Sequence, residues 1–148
     1  MVEANSAQSI LGYLGNALRF IFIPLGFASG ADGWKAVVAV LSGLIAKEAV
    51  ISTMGQLYTG VAGDAAEEGT AASLALAATI AATFSVPAAL SFITWNLFST
   101  PCMAAVGAIH AEMNSKKHFW GTMAFHIGVA WVMSFLVYHI SSLILMVI

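Results

Sequence analysis

Long apolar blocks alternate with short polar or glycine-rich stretches along this chain. The block from Ala36 to Tyr58, AVVAVLSGLIAKEAVISTMGQLY, is long enough to cross a bilayer core, which takes about 20 residues at about 1.5 Å rise each. Read as one helix, it sets Glu48, Ser52, Gly55 and Gln56 along one side as a polar and small stripe. The opposite side carries Val, Leu, Ile and Met. Such asymmetry suits a helix turned toward a bundle interior.

The other blocks follow in order. Ser9 to Phe27 is apolar but holds Arg19 in its middle and Pro24 near its end. Proline removes an intrahelical hydrogen bond, so this block reads as an interfacial or half-membrane helix, with Arg19 snorkelling to the headgroups. A turn, ASGADG, precedes Trp34 and Lys35, which read as an interfacial anchor. The stretch from Thr59 to Thr70 holds Asp64, Glu67 and Glu68 and no basic residue, and reads as an exposed loop. Ala71 to Phe98 is an apolar block rich in alanine, a composition that favours close helix packing in lipid. Pro87 is expected to kink or interrupt it. Trp95 and Asn96, near its end, read as interfacial or pore-facing. Ser99-Thr100-Pro101-Cys102 then suggests a helix break inside or near the membrane, followed by a helix-compatible run, MAAVGAIHAEM. After a polar patch from Asn114 to His118, the block Phe119 to Ile148 contains no Asp, Glu, Lys or Arg and is the cleanest membrane helix. It is longer than one bilayer crossing, so tilt or an interfacial extension is expected. The pattern as a whole predicts an all-α, polytopic integral membrane protein with about three to four membrane helices, some broken or re-entrant.

Composition agrees. Charged residues are 8% of the 148 positions, against about 25% in ordinary soluble domains. The hydrophobic fraction is 60% and the mean hydropathy is +0.91. A lipid bilayer is the implied surrounding. The net charge of -2 carries no message about nucleic acid. One cysteine excludes an internal disulfide and a multi-cysteine zinc site. The N-terminal residues lack the basic and apolar regions of a signal peptide. Lys116-Lys117 point to a cytoplasmic turn, which would put the acidic loop outside.

Lys47-Glu48 stands out because a charge at the bilayer centre costs about 2.5–3.5 kcal/mol on insertion scales. Adjacent residues on a helix point about 100° apart, so each needs its own partner, and none is evident in the sequence. Either the two fix packing, or Glu48 lines a cation path while Lys47 pairs elsewhere. Cys102 has two readings as well. A lone buried cysteine is usually a small hydrophobe. Beside a broken helix, its sulfur and freed carbonyls can instead hold a soft or borderline cation. The four histidines are weaker: no pair has the i,i+4 spacing of a metal site, although His126 shares a face with Thr122. There is no G-x-x-x-x-G-K-[ST], no G-x-S-x-G and no H-E-x-x-H, so no soluble-type nucleotide or hydrolase site is encoded.

The matching stretches are PLGF at Pro24–Phe27, WK at Trp34-Lys35, SGLIAKEAVISTMGQLY at Ser42–Tyr58, STPCMAAVGAIHAEM at Ser99–Met113 and AWVMSFLVYHI at Ala130–Ile140. Together they make the chain resemble the C-terminal membrane part, with the second Gate motif, of FeoB ferrous-iron transporters. The resemblance implies a single Gate-type transmembrane domain over residues 1–148. It implies Fe(II) as transported substrate across a bacterial inner membrane, with no bound cofactor and no catalysis. The residues expected on the pathway are Lys47, Glu48, Ser52, Thr100, Pro101 and Cys102, with Cys102 and Glu48 as transient metal ligands. Members of the family carry a GTPase domain and a first Gate motif that this sequence does not contain. The expected role is therefore the C-terminal piece of such a transporter, partnered by that N-terminal half or by a second copy, with GTP acting only through the other domain. The rival expectations are another Gate-type solute or nucleoside permease, and a non-transporting assembly subunit.

Overall fold

A computed structural model describes residues 10–60, 71–113 and 115–147. The acidic positions Asp64, Glu67 and Glu68 lie outside the described residues. Among the described residues seven α-helices follow one another: α1 (Ile10–Phe22), α2 (Gly33–Gly43), α3 (Ala49–Thr59), α4 (Ala71–Thr83), α5 (Val86–Phe98), α6 (Met103–Glu112) and α7 (Lys116–Val147). A 3-10 turn, Ile23–Leu25, with Pro24 in its first positions, closes α1. There is no strand among the described residues. Two segments are long and apolar enough to cross a membrane, Val86–Glu112 (α5 and α6 together) and Lys116–Val147. The protein is an all-α membrane protein.

The block read as one spanning helix is instead a hairpin. α2 and α3 have 11 residues each, about 16 Å at 1.5 Å per residue and so about half a bilayer core. Five residues, 44–48, join them. Leu57 of α3 packs with Trp34 and Val38 of α2, while Val50 of α3 lies against Gly43 at the end of α2. The two helices therefore run antiparallel, and Lys47-Glu48 occupy the tip of a re-entrant turn rather than the middle of a helix. Gly43 makes this closure possible: a Cβ there would stand 2.6 Å from the Val50 Cγ2. Ser42 stitches the tip, its hydroxyl donating to the Ala39 carbonyl at 2.7 Å and reaching the Ala49 carbonyl at 3.4 Å. The stripe expected along one helix is accordingly not one environment. Gly55 is buried, Ser52 is half-buried, and Glu48 and Gln56 are exposed.

α2 is the central element. Its residues Ala36, Val37 and Val40 join Phe22, Phe27, Ala88, Trp95 and Ala130 in one buried cluster. Its Ala39 joins Val50, Met54 and Leu76 in a second. Its Trp34 and Val38 join Leu57 in a third. Trp34 is thus a core residue and not an interfacial anchor. Trp95 is also buried, edge-on to Phe22 with ring centroids 4.9 Å apart. Lys35 pairs with Asp32 at 2.9 Å and lies over the Tyr58 ring. Arg19 has a partner within the chain: its Nε donates to the Ala28 carbonyl at 2.8 Å, tying the loop before α2 back to α1.

Pro87 starts a helix rather than kinking one. It occupies the first turn of α5, where its missing N–H costs nothing. The described chain leaves the helix at Phe84-Ser85. α7 runs antiparallel to α5. The Ser91 hydroxyl donates to the Ser134 carbonyl at 3.1 Å, and Leu97 of α5 shares a cavity with His126 of α7. Farther along α7, the Trp131 Nε1 donates to the Ile21 carbonyl at 3.1 Å, and Tyr138 covers Gly26. With 32 residues, α7 is about 48 Å long, more than a bilayer core. α6 has no buried residue.

Gly26 has φ +84°, and a Cβ there would fall 2.0 Å from the Tyr138 ring. Gly128, on α7, has nothing within 4 Å of the equivalent position. Gly26→Ala is therefore expected to destabilise the detergent-solubilised protein by about 1–3 kcal/mol. Gly128→Ala should leave its melting temperature unchanged or slightly raised. Thermal unfolding of the two variants side by side checks this, and equal melting temperatures would refute the α7-on-Gly26 packing.

Candidate functional site

Helix ends leave backbone groups without intrahelical partners, and a membrane offers no water to satisfy them. This chain answers by bringing two breaks together. The tip between α2 and α3 meets the break between α5 and α6, where Ser99 is extended with φ -61° and ψ 165°. The Met103 amide, first in α6, donates to the Leu44 carbonyl just past α2 at 3.1 Å. The Lys47 ammonium donates to the Asn96 carbonyl, in the last turn of α5, at 2.7 Å. Lys47 thus has a partner within the chain. Glu48 is the residue before α3, where a negative charge is favoured by the positive end of the helix dipole. Cys102 holds the corresponding position before α6.

A cavity of about 520 Å³ opens at this crossing. Lys47, Glu48, Ser99, Pro101 and Cys102 line it, and so does His126 from α7. The structure therefore brings together Lys47, Glu48, Pro101 and Cys102. It does not bring Ser52 or Thr100 to the lining. Thr100 is buried at 7% exposure, and Ser52 lies farther along α3, half-buried.

His126 is the residue that sequence reasoning undervalued. Its Nδ1 lies 2.9 Å from the Thr122 carbonyl. A carbonyl only accepts, so the proton of the neutral ring is on Nδ1 and the lone pair is on Nε2. Metal-binding histidines are commonly oriented by this kind of contact. The Thr122 spacing was visible in the sequence, but it could not say that α7 passes the break at Cys102. Thiol, imidazole and carboxylate from three elements thus face one space, a donor set suited to borderline divalent metals. Among the described residues no three His, Cys, Asp or Glu side chains are gathered closely enough to hold a metal ion together. Any ion here would need backbone carbonyls and water to complete its shell.

A second cavity, of about 350 Å³, lies at the other ends of the same half-length helices, lined by Ser29, Asp32, Tyr58 and Ser85 among others. Phe27 and Phe84 line the second cavity, and each meets Phe92 edge to face, at 5.3 Å and 6.1 Å between centroids.

Helices of half a membrane's length whose broken ends converge on polar side chains recur in α-helical membrane proteins of the transport type. The chain belongs to the Gate family, described as nucleoside recognition, whose pattern matches residues 2–116; within it, this is a FeoB-type Gate region. It is 34% identical over 92% of its length to the Fe(2+) transport protein A/Fe(2+) transporter FeoB fusion protein of Porphyromonas gingivalis. It is 33% identical over 93% to Fe(2+) transporter FeoB of Campylobacter jejuni, and 29% identical over 96% to that of Staphylococcus aureus. It spans only 16%, 21% and 19% of those three proteins' lengths. No solved structure matches the chain.

Cys102 is the single cysteine of the sequence and lines an open cavity, whereas Ser134 is fully buried between α5 and α7. In the inserted protein, Cys102 is expected to react with a water-soluble methanethiosulfonate. The same reaction at Ser134→Cys, in a Cys102→Ser background, should run at least about tenfold slower, since labelling there requires local unfolding. Equal rates would mean that Cys102 does not face an accessible cavity.

Proposed function

We propose that this chain lines part of an Fe(II) pathway across a bacterial inner membrane, as the C-terminal permease segment of a FeoB-type transporter. Fe(II) is the transported substrate; the chain performs no catalysis and binds no resident cofactor. The observation that carries this reading is the meeting of two helix breaks at a cavity faced by Cys102, Glu48 and His126. Such crossings expose half-helix ends and carbonyls that coordinate cations at membrane depth. The relatives are Fe(2+) transporters, in agreement with that chemistry. Cys102 is the transient sulfur ligand, His126 offers Nε2, and Glu48 supplies negative charge at the mouth. Thr100 and Pro101 act by breaking the helix, not as ligands.

A complete pathway needs more walls than this chain provides. No residue of α6 is buried, and α7 leaves Phe125, Ile127 and Val132 exposed. The missing walls come from the N-terminal GTPase and first-Gate part of such a transporter, or from a second copy. Any effect of GTP reaches this region through that other part.

The family description, nucleoside recognition, favours one competing reading, a solute permease. A thiol and an imidazole offer a nucleoside little and a borderline cation much. Anaerobic Fe(II) flux into proteoliposomes separates the readings. Flux is expected when this chain is combined with the N-terminal part of a FeoB-type transporter, unaffected by excess nucleoside. Cys102→Ser and His126→Ala should each lower it about tenfold or more, the order found on loss of groups that hold or orient a metal, while insertion is intact. Wild-type flux in both variants, or competition by nucleosides, would reject the proposal.

A further inference from the structure

Lys47 spends its charge on backbone. The one ion pair among the described residues joins Lys35 to Asp32, at the far ends of the half-length helices. Lys47 Nζ instead donates to the Asn96 carbonyl at 2.7 Å, a contact between residues 49 positions apart.

The reason lies in how α5 ends. The Trp95 carbonyl is satisfied by the Ser99 amide at 2.8 Å. The next two carbonyls, of Asn96 and Leu97, would in a continuing helix take the amides of residues 100 and 101. The chain has turned extended at Ser99, and Pro101 has no N–H to give. The Asn96 side chain cannot help, because its Nδ2 donates back to the Phe92 carbonyl at 2.9 Å. The last turn of α5 therefore depends on a donor from outside. Lys47 supplies it, and a cation is also the charge that the C-terminal end of a helix dipole favours. The proline that breaks the helix and the lysine at the hairpin tip are two halves of one device.

We propose that Lys47 is a positioning residue: its ammonium caps α5 and thereby fixes the extended segment that presents Cys102 to the cavity. The bond also joins the α2–α3 tip to the α5–α6 break, beside the Met103–Leu44 backbone contact. This inference concerns the placement of Cys102 and stands apart from the identity of the transported ion.

The test reads the native thiol, so it needs no transport. The rate of maleimide labelling at Cys102 is measured in the full chain, inserted in liposomes, with helical content followed by circular dichroism. Lys47→Met is expected to raise the rate about tenfold, the size of effect expected when a charge-assisted hydrogen bond holding a segment is lost. Lys47→Arg, which keeps both cation and donor, should return it near the wild-type rate. Lys47→Gln, a neutral donor of shorter reach, should fall between. Lys35→Met, removing the cation at the far end, should change nothing. Unchanged labelling in Lys47→Met overturns the proposal, as does a Lys47→Arg rate as high as that of Lys47→Met. Where Lys47→Met does not insert, the contrast between Lys47→Gln and Lys47→Arg decides on the same terms.

Discussion

Backbone polarity at membrane depth is the constraint on which the rest of this structure depends. A chain that breaks its helices inside a bilayer must find partners for every freed amide and carbonyl, because lipid supplies none. Here two breaks solve the problem for each other. The carbonyl past α2 takes the first amide of α6, and a lysine from one tip serves the Asn96 carbonyl in the last turn of the other helix. The central position of α2 follows from this. Its end has to meet the α5–α6 break, so α2 packs between α1, α3 and the α5–α7 layer and contributes to all three buried clusters.

The same solution makes a site. Once two broken helices cross, the residues at the breaks face a common space, and three chemically different donors reach it from separate elements. Neither the charge pair nor the cysteine explains the other along the sequence, since about fifty positions separate them. They become one arrangement only when the hairpin folds back. Fixed charges then sit where helix ends favour them, Glu48 before α3 and Lys47 after α5.

Much of the architecture was legible in the sequence. The apolar blocks gave the all-α membrane class. Pro87 marked an interruption, Thr100-Pro101 marked another, and the last block is the long helix α7. The hairpin was not legible. Residues 36–58 have the length and hydropathy of a single span, and the break at 44–48 has no proline to announce it. What permits the fold-back is Gly43 lying under Val50, a tertiary contact that periodicity cannot register. Trp34 and Trp95 misled for a related reason. Tryptophan favours the membrane interface on average, but both rings here fill gaps around α2. At the site, residue types named Lys47, Glu48 and Cys102, whereas His126 needed the path of α7. Ser52, expected on the pathway, lies farther along α3 and away from the cavity lining.

The central claim is that the tip at Lys47-Glu48 and the break at Cys102 face one another across a single cavity. It is tested most directly in the membrane, by joining Glu48→Cys to the native Cys102 with a short bifunctional thiol reagent and then cleaving the chain between α3 and α4. The account predicts that the two fragments stay linked until the reagent is reduced. Fragments that separate although both thiols have reacted would contradict it, and would restore the single membrane-spanning helix through residues 36–58.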